Sequence, residues 1–221
     1  MNGQKVTFDI DGQPASGYFA IPDRPDAPGV LVLHAWWGLN SVFEDLCKRL
    51  TSEGFVAFAP DLYDGKIAKT VPEAEQLMSE SSSERKQAIA SAAIDFLRGR
   101  PEVSHEAISL IGFSMGAAWA LELASAFPED IRKVVLFYGV NAVDFTKIKA
   151  KIAGHFSDVD EFEPLEGIQA MGSDMRAAGL SPSFHIYPGK SHWFFESDRP
   201  EYDPEAAELA WTRTLEFLRG G

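Results

Sequence analysis

The sequence has little of what disulfide-linked or membrane-spanning proteins require. Its 221 residues include one cysteine, Cys47, so an intrachain disulfide is excluded. Cys47 falls among the apolar positions of a predicted helix, and we expect its side chain to be buried. No run approaches 18 apolar residues, and the first residues lead into strand-like sequence without an apolar leader. We therefore expect no membrane partner and, by default, a cytoplasmic location.

Positive charge is also scarce, with 20 basic residues against 33 acidic ones and a net charge of −13. This balance disfavours binding to nucleic acids or to anionic membrane surfaces. The sequence contains no paired cysteines, no His-x-x-x-His, no Walker loop and no Gly-x-Gly-x-x-Gly. We therefore predict neither a metal site nor a cofactor.

Strand-like and helix-like segments alternate along the chain, which is typical of an α/β domain that spans residues 1–221. Residues 5–10 and 16–21 alternate around Asp11 and Gly12, predicting an antiparallel edge hairpin. Continuous apolar runs then predict strands buried on both faces. The later predicted strands are residues 29–34, 55–59, 108–111, 134–138, 151–156 and 183–187. Helical patterns between them predict a mostly parallel, twisted sheet with helices on both faces.

One segment combines a strand, a sharp turn and a helix around Gly112-Phe113-Ser114-Met115-Gly116. This is the Gly-x-Ser-x-Gly pattern of a nucleophile elbow, in which a strained turn raises a serine hydroxyl above the end of the sheet. Ser114 is therefore our candidate nucleophile, and an ordinary tight turn with an inactive serine is the alternative.

A serine nucleophile needs a histidine base, which in this order of elements follows the serine and an acid along the chain. His192 lies in the loop after the last predicted strand and is our candidate base. His185 alternates within that strand, and His105 falls in a predicted surface turn. His34 precedes the serine and His155 ends a strand, so we expect structural roles for these four.

The acid is expected from the loop after residues 151–156, which carries Asp158, Asp160, Glu161 and Glu163. Composition alone does not choose among them. The oxyanion hole would use the backbone N–H groups of Met115 and Trp36, the latter in the loop after the strand that ends at His34. Aromatic residues would rim the site, and we expect two or three to face ligand. The candidates are Trp36, Trp37, Phe113, Tyr138, Trp193 and Phe194.

Taken together, these segments resemble the dienelactone hydrolase family, a branch of the α/β-hydrolases. The resemblance spans roughly residues 5–219 and rests on several motifs in one order. They are residues 30–40, 59–63, 112–116, 160–164 and 189–192. The family's acid precedes an x-Phe-x-Pro run, so the resemblance implies Asp160 as the triad acid, with Asp158 in reserve. It also implies the α/β-hydrolase fold.

Two positions depart from that family pattern. Dienelactone hydrolases proper, which this chain resembles, carry cysteine at the position of Ser114 and a glutamate partner at that of Ala35. A hydroxyl activated by His192 needs no such partner, so both changes indicate a plain Ser-His-Asp hydrolase. The family's arginine four residues after the base, which clamps a substrate carboxylate, is Glu196 here. We assign Glu196 to the substrate pocket and expect it to repel that carboxylate.

These observations predict a carboxylic ester or lactone hydrolase that acts on small uncharged substrates through an acyl-enzyme. We expect a monomer or a homodimer. Two alternatives stay open: a true carboxymethylenebutenolidase, and a non-catalytic binding module on the same scaffold.

Overall fold

The fold is organised around one mixed sheet. The computed structural model describes residues 2–104 and 106–220, so His105 lies outside the described residues. The strands are β1 (Asn2–Ile10), β2 (Gln13–Ile21), β3 (Gly29–Leu33), β4 (Val56–Pro60), β5 (Ile108–Phe113), β6 (Ile131–Phe137), β7 (Lys151–Ser157) and β8 (Ser183–Tyr187). They lie in the order β1-β2-β4-β3-β5-β6-β7-β8. The β1–β2 and β2–β4 pairs are antiparallel and the other pairs are parallel, which confirms the predicted sheet.

The N-terminal hairpin turns at Asp11 and Gly12, as predicted. Both residues have positive φ, 50° and 83°, which matches the twist that two-residue hairpins require. Ile10 pairs with Gln13 directly across the turn. The strands are longer than the alternation indicated, because pairing continues through the polar residues at the outer edge of the sheet.

Helices cover both faces of the sheet. They are α1 (Ser41–Ser52), α2 (Val71–Glu80), α3 (Ser83–Arg98), α4 (Met115–Ala126), α5 (Leu165–Ala177) and α6 (Pro204–Arg219). One apolar core contains α3, α4 and α5, and the other contains α1, α2 and α6. Strand β3 is apolar throughout because both of its faces are buried. Leu31 and Leu33 belong to the first core, and Val30 and Val32 belong to the second.

Cys47 is fully buried in the core around α1, as expected for a small apolar residue. Burial raises the pKa of its thiol, which keeps the sulfur protonated and unreactive. Within the described part of the chain, no helix is long and apolar enough to span a bilayer.

Because β3 and β5 to β8 are parallel, the loops after these strands meet at one edge of the sheet. The turn after β5 carries Ser114, and the loop after β7 carries Asp160. The loop after β8 carries His192, and the loop after β3 carries Trp36. The fold therefore gathers the residues that the sequence singled out.

Candidate active site

Ser114 occupies a strained turn between β5 and α4. Its φ of 51° and ψ of −115° lie in a region that residues with a side chain rarely adopt. Its N–H donates to the Phe137 carbonyl at 2.9 Å, and its own carbonyl accepts from Ala117 and Ala118 in α4. These bonds to β6 and α4 hold the turn in the geometry of a nucleophile elbow.

The two flanking glycines are required by close backbone packing. A Cβ at Gly112 would lie 2.3 Å from the Gly116 carbonyl oxygen, and one at Gly116 would lie 2.1 Å from the Leu33 carbonyl oxygen. Both distances are far below van der Waals contact with rigid backbone. The Gly-x-Ser-x-Gly spacing is therefore the condition for packing the elbow against β3.

The structure brings Ser114, His192 and Asp160 into one hydrogen-bonded chain. The Ser114 hydroxyl lies 2.9 Å from Nε2 of His192, and Nδ1 of His192 lies 2.8 Å from Oδ2 of Asp160. The side chains of His192 and Asp160 are only 4% and 1% exposed. The imidazole is thus oriented with Nδ1–H donating to the carboxylate and Nε2 facing the hydroxyl.

The surroundings of Asp160 favour its ionised form. Burial alone would raise its pKa, but the contact with His192 and the backbone N–H groups of Phe162 and Glu163 lower it below the ordinary value. The two backbone bonds to Oδ1 are each 2.9 Å, and Ser157 donates to Oδ2 at 3.2 Å. The reserve candidate, Asp158, is exposed and instead accepts the Gly189 N–H at 2.6 Å.

The other described histidines are held in structural contacts. His34 is buried and donates from Nδ1 to the Ala35 carbonyl, while Nε2 accepts the Leu62 N–H. His155 is buried between hydrogen bonds to Tyr187 and Thr214, and stacks on His185. Burial lowers the pKa of all three imidazoles, so they stay neutral near pH 7.

The two predicted oxyanion donors remain available. Among the contacts of the described residues, neither the Trp36 N–H nor the Met115 N–H has a hydrogen-bond acceptor. Met115 N–H lies at the first position of α4, where helical N–H groups point out of the helix with the positive end of the dipole. A negative oxygen near Ser114 would satisfy such donors.

A cavity beside His192 has a lining different from that of the predicted substrate pocket. A cavity of about 210 Å³ lies beside His192 and is lined by Val159, Glu161, Phe162, Ser191, His192, Trp193 and Glu201. Of the pocket residues predicted, only Trp193 lines it. Phe113, Tyr138 and Glu196 are 0% exposed and Trp37 is 2% exposed, so these four belong to the interior. The aromatic rings among them pack against neighbouring rings, with Trp37 edge-on to Trp36 and Phe113 tilted against Tyr138.

Sequence reasoning did not single out Phe162, which lines this cavity. Its ring is 44% exposed, lies 5.1 Å from the His192 imidazole, and packs on Trp193 and Trp36. The available signal was a single aromatic residue inside an otherwise acidic loop. Loops at the carboxyl edge of a sheet often carry binding residues, so an exposed aromatic side chain there is a candidate for ligand contact.

Glu196 is the largest departure from expectation. It accepts a hydrogen bond from the Tyr138 hydroxyl at 2.8 Å. Burial raises its pKa to about 8, with Asp198 and Glu201 adding to the effect, and its second oxygen has no hydrogen-bond partner among the described residues. The side chain is therefore a protonated interior acid near pH 7, rather than a charge that faces substrate.

The described residues contain no cluster of three or more histidine, cysteine, aspartate or glutamate side chains that could hold a metal ion.

The chain is similar in sequence or in fold to several known proteins. The chain is 34% identical to the protein Usf of Aquifex pyrophilus, over 98% of each chain. The dienelactone hydrolase-like promiscuous phosphotriesterase P91 from metagenomic libraries superposes with a TM-score of 0.85 at 23% identity, covering 97% of this chain and 96% of the other. Esterase 2 of Thermogutta terrifontis gives 0.76 at 16% identity, covering 98% and 91%. The two structural likenesses establish the α/β-hydrolase fold.

Membership of a family follows from the sequence. The model of the dienelactone hydrolase family matches residues 15–220, which includes the elbow, the acidic loop and the loop that carries His192. The chain belongs to the dienelactone hydrolase family and is a hydrolase.

Proposed function

We propose that this protein is a serine hydrolase that cleaves small uncharged esters or lactones. The observation that carries the proposal is the chain of contacts from the Ser114 hydroxyl through the His192 imidazole to Asp160, with separations of 2.9 and 2.8 Å. The strained turn at Ser114 supports it, because such strain is retained where a side chain must be held in one position.

Each residue has a defined step in this mechanism. Ser114 Oγ attacks the substrate carbonyl while His192 Nε2 takes its proton, and Asp160 stabilises the resulting imidazolium. His192 then returns the proton to the departing alkoxide, leaving an acyl group on Ser114. Water attacks the acyl-enzyme with His192 again as base, which releases the acid and restores the hydroxyl.

The negative oxygen of each tetrahedral intermediate needs donors fixed in advance. We assign this role to the backbone N–H groups of Met115 and Trp36, which have no acceptor among the described residues. Donors aimed at the developing charge stabilise the transition state more than the neutral carbonyl, and this difference accelerates the reaction.

The lining of the cavity supports an uncharged substrate. Glu161 and Glu201 contribute carboxyl groups, Phe162 and Trp193 contribute rings, and none of the residues along its wall is lysine or arginine. A substrate carboxylate would therefore meet like charge and no counterion. Apolar acyl groups can instead pack against the rings.

Replacing Ser114 tests the mechanism. With p-nitrophenyl butyrate, Ser114→Ala should lose at least about 10³-fold in kcat because no nucleophile remains. A fluorophosphonate probe should label the wild type stoichiometrically at Ser114 and should not label the variant. A variant that keeps a tenth of the activity would exclude Ser114 as nucleophile, and a wild type that is neither labelled nor active would indicate a binding module.

The charge preference is tested with a matched pair of substrates. We expect p-nitrophenyl butyrate to be hydrolysed with a kcat/KM at least tenfold above that of mono-p-nitrophenyl succinate, which has the same chain length and a terminal carboxylate. Glu201→Gln should narrow that ratio. A preference for the succinate would contradict the uncharged substrate class.

A further inference from the structure

Glu196 and Tyr138 form a buried pair that none of the proposed steps uses. Both side chains are 0% exposed, and the Tyr138 hydroxyl donates to Oε1 of Glu196 at 2.8 Å. Glu196 lies four residues after His192, whereas Tyr138 follows β6. The bond therefore joins the loop of the base to the strand that neighbours the elbow.

Tyr138 is also in direct contact with the base. Three rings surround the His192 imidazole, with centroid distances of 4.8 Å for Tyr138, 5.0 Å for Trp193 and 5.1 Å for Phe162. Phe162 is 44% exposed and no hydrogen bond holds its ring. Tyr138 is enclosed and its hydroxyl is hydrogen-bonded, whereas the indole N–H of Trp193 has no partner among the described residues, so Tyr138 is the ring of the three that a hydrogen bond fixes.

The backbone beside this contact is strained. Tyr138 has a φ of 36° and Trp193 a φ of 62°, and each is a large residue that rarely takes a positive φ. The Tyr138 N–H donates to the His155 carbonyl in β7 at 2.8 Å, which holds the strained residue in place. Strain of this kind is unfavourable and persists where the surrounding contacts over-determine the position.

We propose that Glu196 is a positioning residue: it anchors the Tyr138 hydroxyl, and the anchored Tyr138 ring sets the orientation of the His192 imidazole between Ser114 and Asp160. The proposal rests on the proposed function for its effect on rate. The geometric part stands separately, since it concerns the orientation of His192. Burial of a carboxyl group with one unpartnered oxygen is unfavourable for stability, which is consistent with a role other than packing.

Tyr138→Phe removes one oxygen atom and leaves the ring, so it is the least disruptive test. We expect kcat for p-nitrophenyl butyrate to fall about tenfold with KM within twofold, because a misoriented base slows proton transfer without changing substrate binding. Glu196→Leu should lower kcat by the same factor. Glu196→Gln should keep kcat within about threefold of the wild type, since the glutamine amide oxygen can accept a hydrogen bond from the Tyr138 hydroxyl.

The double variant Tyr138→Phe/Glu196→Leu should lose no more than either single variant, because both remove the same anchor. A double variant whose loss of kcat equals the product of the two single losses would overturn the proposal. An unchanged kcat in Tyr138→Phe would overturn it as well. If Glu196→Gln and Glu196→Leu lost kcat equally, and in parallel with a fall in melting temperature, Glu196 would have a purely structural role.

A spectroscopic readout separates this proposal from the proposed function. The Nδ1–H of His192, held by Asp160, should give a low-field proton resonance that Asp160→Asn lacks. We expect that resonance to broaden or disappear in Tyr138→Phe and to persist in Glu196→Gln. A sharp resonance in Tyr138→Phe would exclude the positioning role, whether or not the wild type hydrolyses esters.

Discussion

Asp160 and Glu196 are two buried carboxyl groups around one histidine, and they have opposite protonation preferences. Asp160 accepts hydrogen bonds from His192, from Ser157 and from the backbone N–H groups of Phe162 and Glu163. Its pKa lies below the ordinary value. Glu196 accepts one bond, from Tyr138, and its pKa is raised to about 8. The side chain of Asp160 is 1% exposed and Glu196 is 0% exposed.

The contact with His192 and the backbone N–H donors lower the pKa of Asp160, whereas deeper burial and the nearby Asp198 and Glu201 raise that of Glu196. Several N–H and O–H donors replace the water that Asp160 loses, whereas Glu196 has no such replacement at its second oxygen among the described residues. In the proposed mechanism, the imidazolium of His192 pairs with the Asp160 carboxylate, on the side of the ring away from Ser114. A protonated Glu196 adds no charge to the site, and its hydrogen bond from Tyr138 is the contact through which the proposed positioning acts.

Removing the charge of Asp160 gives the largest expected effect. Asp160→Asn replaces the acceptor at Nδ1 with an amide that can favour the wrong imidazole tautomer, so we expect kcat for p-nitrophenyl butyrate to fall by about 10³-fold to 10⁴-fold. The measurement is kcat at pH 8, with a circular dichroism spectrum to confirm the fold.

Asp158→Asn is the matched control, since Asp158 lies in the same loop and bonds to the Gly189 N–H instead of His192. We expect its kcat to stay within about threefold of the wild type. Equal losses in the two variants would mean that the loop, and not the Asp160 carboxylate, supports catalysis.

Glu196→Gln tests the protonation state of the second carboxyl group, through the pH dependence of the free energy of unfolding. The folded chain keeps a proton on Glu196 up to about pH 8, whereas the unfolded chain releases it near 4.5. The contribution of this group is therefore complete below pH 4.5 and decreases as the pH rises to 8, by at most about 1.4 kcal/mol per pH unit. Glu163, whose pKa is raised to about 7, titrates in both the wild type and the variant. Its contribution therefore cancels in the difference between their free energies of unfolding.

We expect urea unfolding to show that the variant gains about 2 kcal/mol relative to the wild type between pH 6 and pH 8. The amide N–H₂ that Glu196→Gln introduces into the interior costs stability at every pH, so the change with pH is the informative quantity. A constant difference between the two proteins would show that Glu196 is already ionised at pH 6.

Much of the site was predictable because its signals are local. The elbow at Ser114 follows from two glycines that the packing against β3 requires, with a strand before and a helix after. The order of strands and helices predicted that His192 and the acidic loop would share one edge. The choice of Asp160 over Asp158 needed the family resemblance, because hydrogen-bond donors to a loop carboxylate cannot be counted in a sequence.

The residues that line the cavity were less predictable, because the exposure of each side chain depends on packing between segments that are distant in the sequence. Tyr138 and Glu196 are 58 residues apart, and nothing in either local pattern indicates that a hydroxyl and a carboxyl group meet in the interior. Glu196 was therefore expected at the substrate, as the replacement for a family arginine. Phe162 shows the converse, since an apolar residue in an acidic loop proved to be exposed beside His192.

The smallest expected effect comes from removing one of the donors that distinguish Asp160 from Glu196. Ser157 is buried at the end of β7, and its hydroxyl donates to Oδ2 of Asp160 at 3.2 Å, the longest of the bonds to that carboxylate. Ser157→Ala should raise the pKa of Asp160 and lower kcat/KM by about threefold to tenfold, since one such bond contributes about 1 kcal/mol. Because the backbone donors remain, the acid should stay ionised at pH 7. A loss as large as that of Asp160→Asn would show instead that a single donor, and not their number, keeps Asp160 ionised.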